Sequence, residues 1–333
     1  MKPIRSASAI LLAVLGIALG PALGADQGEA DARAEHIRSH YAKFEHRIPM
    51  RDGVNLFTAV YVPNDRSRSY PILMVRTPYG SGPYGADRYR ERLGPSERFE
   101  QEGFIFVFQD VRGKFQSDGV FVNMRPHVAD KRGPQDSDES SDAYATIAWL
   151  LEHVPAHNGK VGVWGNSYPG FYAASATIDG HPSLVAASPQ APIADWWWDD
   201  MHRHGAFNLN LSFNFFATFG QPRPERITEW PDRFDHGTPD GYQFFLELGS
   251  LANVDERHFK GDVAFWDEIA SHPNYDGFWQ SRSILPHLDG ISAAMLVVGG
   301  WYDTEDLYGP LRIYAGADAG NRAADIRLVI GPW

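Results

Sequence analysis

Short apolar runs recur along this chain, separated by helix-compatible stretches, and that alternation constrains the fold more than any other feature. Pro71–Arg76, Phe104–Gln109, Val161–Trp164, Leu184–Ser188, Met295–Val298 and Arg327–Ile330 each read as buried strands. Near-continuous apolar strands alternating with helices belong to a mostly parallel sheet covered on both faces, an α/β fold. Ahead of them, His46–Pro63 reads as two strands around the turn Asp52-Gly53. Residues 26–43 are polar, Ala-rich and helix-compatible, a loose lead-in. Helices are expected over 87–102, interrupted near Gly94-Pro95, over Asp136–His153 and over Tyr168–Thr177. From about Asp195 to His287 the rhythm breaks. This stretch is rich in Trp, Phe, Asn and His, and its patterned runs look helical, as in Tyr242–Leu251. We read it as an inserted helical cap at 195–287, between core segments at 25–194 and 288–333.

The first 24 residues read as an export signal. Lys2 and Arg5 precede a small and apolar run from Ala7 to Gly20, and Ala22 and Gly24 stand at −3 and −1 of a small-residue cleavage site. A run of about 14 apolar residues falls short of the roughly 20 that a membrane span needs. The expected location is secreted or periplasmic, with no membrane contact after cleavage.

Thirty basic against 42 acidic residues give a net charge of −12, and the basic residues do not cluster. Nucleic acid is therefore not an expected partner. A cationic or small neutral substrate suits this field better. The chain has no cysteine, which excludes disulfides, thiolate metal sites and a cysteine nucleophile. No cofactor or metal is expected. His202 with His204, and His153 with His157 across Pro155, make poor metal pairs, and Asp136–Asp142 lacks the glycine and final Glu of a calcium loop.

The sharpest motif is Gly165-Asn166-Ser167-Tyr168-Pro169-Gly170, set between an expected strand and an expected helix. A nucleophile elbow needs this context. The serine sits on a tight strand-to-helix turn, and small neighbours let the two elements approach. The Tyr168 N–H, at the helix N-terminus, would face a developing oxyanion. The second glycine falls one place later than in the usual G-x-S-x-G. Such a serine needs a base, and the base an orienting acid, in the chain order Ser, Asp, His. Asp303 follows the apolar strand Met295–Val298 and a Gly pair, as the acid should; it also suits a helix N-cap before Thr304-Glu305-Asp306. The 13 histidines end at His287, so none follows Asp303. Three accounts fit: the sequence is a C-terminal fragment of a longer enzyme, the base comes from an unusual position, or the protein is inactive. A fragment, with little or no turnover of its own, is the simplest expectation.

Spaced landmarks over residues 44–333 resemble the serine hydrolases that include cocaine esterase, glutaryl acylases, Xaa-Pro dipeptidyl peptidases and α-amino-acid ester hydrolases. They are Met50–Val54, Arg76-Thr77-Pro78-Tyr79-Gly80, Gln109-Asp110-Val111-Arg112-Gly113, Gly165–Gly170, Gly300-Trp301-Tyr302-Asp303 and Gly331-Pro332-Trp333. The resemblance implies an α/β-hydrolase core, with Ser167 as nucleophile and Asp303 as triad acid. It implies an oxyanion hole made by the Tyr79 hydroxyl and the Tyr168 N–H. In this family the Gly-Pro-Trp loop leads within a few residues to the catalytic histidine, and a jelly-roll domain follows the core; neither is in the sequence. Within the family, α-amino-acid ester hydrolases bind the substrate's α-ammonium through a carboxylate cluster. The matching residues here are Glu305 and Asp306, with Asp200 as the third member and Asp199 as its rival. Partly buried carboxylates around one point attract a cation and repel an anionic acyl group, which argues against glutaryl substrates. Trp196-Trp197-Trp198 suits either an acyl pocket or plain packing.

The expected function is transfer of the acyl group of an α-amino acid ester, or of a β-lactam side-chain amide, to water or an amine. An esterase or Xaa-Pro dipeptidyl peptidase of the same family is the rival within the enzyme class. A non-catalytic fragment or binding protein is the rival outside it. A homo-oligomer is compatible with the sequence.

Overall fold

A computed structural model describes residues 27–333; the leader read at 1–24 lies outside them. The chain opens with helix α1 (Gln27–His40), which runs straight into strands β1 (Tyr41–Pro49) and β2 (Asn55–Pro63). These form an antiparallel hairpin in which Tyr41 faces Pro63 and Pro49 faces Asn55. Then come β3 (Tyr70–Thr77), α2 (Glu97–Glu102), β4 (Ile105–Asp110), α3 (Glu139–His153), β5 (His157–Asn166), α4 (Tyr168–Ser175) and β6 (Leu184–Gln190). After a long excursion the sheet resumes with β7 (Ala294–Gly300) and closes, beyond a last helix, with β8 (Ile326–Gly331). The strand order is β1-β2-β4-β3-β5-β6-β7-β8. β2 runs antiparallel to both its neighbours, β1 and β4; every pair from β4 to β8 is parallel. This is the mostly parallel sheet that the alternating pattern called for, in the α/β-hydrolase arrangement that the family resemblance implied.

Alternation along the strands explains the two-sided burial. On β2, Leu56, Val60 and Val62 join a cluster with Ile147 and Leu150 of α3, while Phe57, Ala59 and Tyr61 face Ile37 of α1 on the other side. Ile105 and Val107 of β4 split from Phe106 and Phe108 in the same way. At the far end of the sheet, Leu296 and Val329 stay exposed. Helix α3 starts at Glu139 rather than Asp136, because Asp138 is its N-cap: its carboxylate accepts the Ser141 N–H, and the Ser141 hydroxyl accepts the Asp138 N–H.

Two local expectations are corrected. The segment 87–96 is not helical; only Glu97–Glu102 is. The Glu100 carboxylate accepts the N–H groups of Leu93 and Gly94, both at 2.8 Å, and the Arg90 guanidinium donates to the Ser81 and Gly82 carbonyls. The Glu100 side chain thus satisfies backbone N–H groups that a helix would otherwise pair, and Arg90 ties the segment to the loop after β3. The lead-in is not loose either. Ala34 and Ile37 of α1 are buried, and β1 begins five residues before the expected strand, with the Tyr41 hydroxyl donating to the Glu100 carbonyl.

Between β6 and β7 the chain forms a π-helical turn (Trp197–Met201), a small hairpin (His202–Arg203 with Ala206–Phe207) and helices α5 (Leu209–Phe219), α6 (Gly241–Leu248) and α7 (Ala264–Ser271). The core helix α8 (Tyr308–Gly320) follows β7. Phe213, Phe216, Phe259 and Trp266 of this excursion share one apolar cluster with Tyr168 and Phe171 of α4 and Ile313 of α8. The segment thus packs directly onto the carboxyl edge of the sheet.

Candidate active site

β5 ends at Asn166 and α4 begins at Tyr168, so Ser167 alone makes the turn between them. Its φ of 63° and ψ of −127° lie in a region that residues with a Cβ rarely adopt, at a cost of about 1–3 kcal/mol. Backbone bonds hold it there: the Ser167 N–H donates to the Gln190 carbonyl at 2.9 Å, and the Ser167 carbonyl accepts from Phe171 at 3.1 Å. A Cβ on Gly165 would strike the Pro169 backbone, and one on Gly170 would lie 2.5 Å from the Gln190 carbonyl oxygen. The late position of the second glycine is thus explained. Residue 170, rather than 169, is the point of α4 that meets the end of β6.

Tyr79 is placed by wiring between the loops after β3 and β4. Its N–H donates to Thr77 Oγ1, and the Asp110 carboxylate accepts from the Ser81 and Gln116 N–H groups and the Tyr84 hydroxyl. Burial pushes Asp110 up to about 6. Beneath these loops, Arg112 bridges Asp52 and Asp142, and Arg76 bonds the Gln109 side chain and the Glu139 carbonyl. The Arg76–Gly80 and Gln109–Gly113 landmarks are therefore chiefly a scaffold that presents Tyr79. The Tyr79 ring meets Tyr168 edge-on at 6.3 Å. Desolvation, reinforced by Glu305, drives the Tyr79 phenol well above its ordinary value, so it stays a hydrogen-bond donor. The Tyr168 hydroxyl is occupied, accepting from the Met124 N–H at 2.7 Å. Its backbone N–H opens α4, where helix N–H groups have no intrahelical partner.

One cavity is lined by Tyr79, Ser167, Tyr168, Asp200 and Glu305, with Ile193, Trp196, Met201, Leu211 and Phe215 as its apolar wall. Asp306 adjoins it, close enough to the Ser167 hydroxyl to feel it. Desolvation raises Asp200, Glu305 and Asp306. The charges of Asp306 and Glu305 push Asp200 further up, and Glu305 does the same to Asp306. For Glu305 itself the contact with Asp200 works the other way, while Asp303 adds to the rise. Asp200 Oδ2 and Asp306 Oδ1 are buried and receive no hydrogen bond. Buried, mutually repelling carboxyls with unpaired oxygens form a site deficient in positive charge.

Asp199, the alternative to Asp200, has another task. It accepts the N–H groups of Ala194, Asp195 and Gly309, tying the turn after β6 to α8. Asp303 lies on the loop after β7, outside the residues lining the cavity, and its Oδ1 accepts the Glu305 and Asp306 N–H groups at 2.9 Å each. It thereby shapes the turn that carries both carboxyls. Of the three tryptophans only Trp196 lines the cavity; Trp197 stacks on His202 at 3.7 Å and Trp198 faces Tyr308. No histidine is among the lining residues. Ile193, Met201, Leu211 and Phe215 escaped the sequence reading. An apolar stripe on α5 was the only signal for Leu211 and Phe215, and it does not tell pocket wall from core; Ile193 and Met201, on the turns after β6, carried none.

The sheet order and the strained serine turn define an α/β-hydrolase. The profile of the X-Pro dipeptidyl-peptidases (S15 family) matches residues 52–333, and the chain belongs to this family of serine hydrolases. Cocaine esterase of Rhodococcus sp. (strain MB1 Bresler) is 31% identical over 296 residues, covering 86% of this chain and 47% of that protein. A solved α-amino acid ester hydrolase superposes with a TM-score of 0.76 at 32% identity, over 94% of this chain and 51% of that one. An aminopeptidase from the marine sediment archaeon Thaumarchaeota archaeon gives 0.76 at 31%, over 88% and 48%. The chain spans about half the length of these relatives.

Proposed function

We propose that this chain carries the acyl-binding half of an exported hydrolase that acts on esters or amides of α-amino acids through an acyl-enzyme. The observation that carries the reading is the cluster of Asp200, Glu305 and Asp306 beside Ser167, with two buried carboxyl oxygens lacking any donor. An α-ammonium supplies three N–H donors and the missing positive charge. It would hold the acyl carbonyl next to Ser167, with the α-side chain against Trp196, Met201, Leu211 and Phe215.

Ser167 Oγ would attack the carbonyl carbon, and the oxyanion would rest between the Tyr79 hydroxyl and the Tyr168 N–H. Collapse expels the alcohol or amine, and water or another amine then takes the acyl group from Ser167. The proton passes through a histidine oriented by Asp303. We assign that histidine to the part of the relatives' length that this chain does not span.

The test is hydrolysis of phenylalanine methyl ester. Ser167→Ala should abolish it, and turnover retained in that variant would refute the mechanism. A same-family esterase is the second reading, favoured by the likeness to cocaine esterase. For an esterase, removing the Glu305 and Asp306 charges should affect ammonium-bearing and neutral esters alike.

A further inference from the structure

Trp230 is a large aromatic left 38% exposed, yet it stands against Tyr79, which lines the cavity. Its indole N–H donates to the Tyr79 carbonyl at 3.2 Å, and its ring lies 6.0 Å from the Tyr79 ring and 5.3 Å from Phe115. The segment before it is irregular but firmly tied down. The Arg223 guanidinium donates to three carbonyls of the loop after β4, those of Gly113, Phe115 and Ser117, at 2.7–2.9 Å. Lys114 Nζ donates to the Phe219 carbonyl, Gln116 Nε2 to the Ile227 carbonyl, and the Ile227 N–H to the Phe115 carbonyl. These bonds hold an exposed ring in a fixed place beside the site, at little entropic cost to anything that stacks on it.

We infer that Trp230 is a specificity-determining residue: its exposed face is the platform for the leaving group, and favours leaving groups with a flat aromatic ring. The inference rests on the reading of the cavity as the acyl site. The carboxyls and the apolar wall occupy the acyl side of the reacting carbonyl, so the leaving group points outward. Trp230 is the half-exposed aromatic that touches Tyr79.

Calorimetric binding of phenylalanine anilide and phenylalanine methylamide, in a Ser167→Ala background that prevents turnover, tests it. The anilide should bind about three- to tenfold tighter. Trp230→Leu should erase that ratio while leaving methylamide affinity unchanged, which also reports an intact fold, and Trp230→Phe should keep most of it. An unchanged ratio in Trp230→Leu overturns the inference and leaves the acyl site standing. Failure of either amide to bind overturns both.

Discussion

Asp199 and Asp200 are neighbours on one π-helical turn with opposite surroundings. Asp199 accepts three backbone N–H groups, whereas Asp200 Oδ2, equally buried, accepts none. Only Asp200 lines the cavity with Glu305. Asp199→Asn should therefore act on folding, by weakening the tie to α8. It should cost about 1–3 kcal/mol in chemical denaturation, the range for a broken buried hydrogen bond.

Asp200→Asn should do the reverse. A carboxyl raised in the folded state stabilises below its unfolded value, near 4, and that contribution is lost as pH rises through its folded value. Removing the charge should leave melting at pH 4 almost unchanged and raise the melting temperature at pH 7 by about 2–8 °C. Affinity for an α-ammonium ligand should fall in the same variant. A variant destabilised at pH 7 relative to pH 4 would contradict the assignment of Asp200 as an unpaired charge.

Ligand binding should follow a bell in pH. Desolvation holds Asp200, Glu305 and Asp306 above the ordinary carboxylate range, so phenylalaninamide affinity should climb only above about pH 4. It should fall again as the ligand's own ammonium deprotonates near pH 8. Titrations at several pH values check both limbs, and a flat profile would refute the cluster as the binding site.

Tyr79→Phe removes one proposed oxyanion donor and leaves the ring packing on Tyr168 and Trp230. In phenylalanine methyl ester hydrolysis kcat should drop by about 10²–10³ with KM little changed. A loss confined to KM would make Tyr79 a binding residue instead.

Gly170→Ala should disrupt the elbow, because the new methyl meets the Gln190 carbonyl rather than a flexible side chain. A loss of about 1–3 kcal/mol is expected from this overpacking, together with loss of hydrolytic activity. Unfolding curves of the variant and the parent measure it.

Much of this was legible in the sequence, because the signals were local. The strands of the sheet are compact apolar runs, and Ser167 sits in a six-residue motif whose spacing follows from where α4 meets β6. The carboxylate trio was legible only through family resemblance. Helix propensity alone makes Glu305 and Asp306 ordinary first-turn acids, and their meeting with Asp200 needs the excursion after β6 to fold back. What stayed hidden depends on long-range side-chain bonds. Glu100 converts an expected helix into a loop, Tyr41 and Ile37 dock the lead-in, and the Arg223 ties place Trp230. None of these has a sequence period.

The central claim is that the carboxyl cluster beside Ser167 is an ammonium site, and a paired titration tests it most directly. Phenylalaninamide and its desamino analogue 3-phenylpropanamide should be titrated calorimetrically at neutral pH into this chain and into a variant carrying Glu305→Gln with Asp306→Asn. The account predicts that the ammonium-bearing ligand binds at least about tenfold tighter to the parent chain, and that the variant loses this advantage while binding the neutral analogue unchanged. Equal binding of the two ligands by the parent chain, or an advantage that survives removal of both charges, would contradict it.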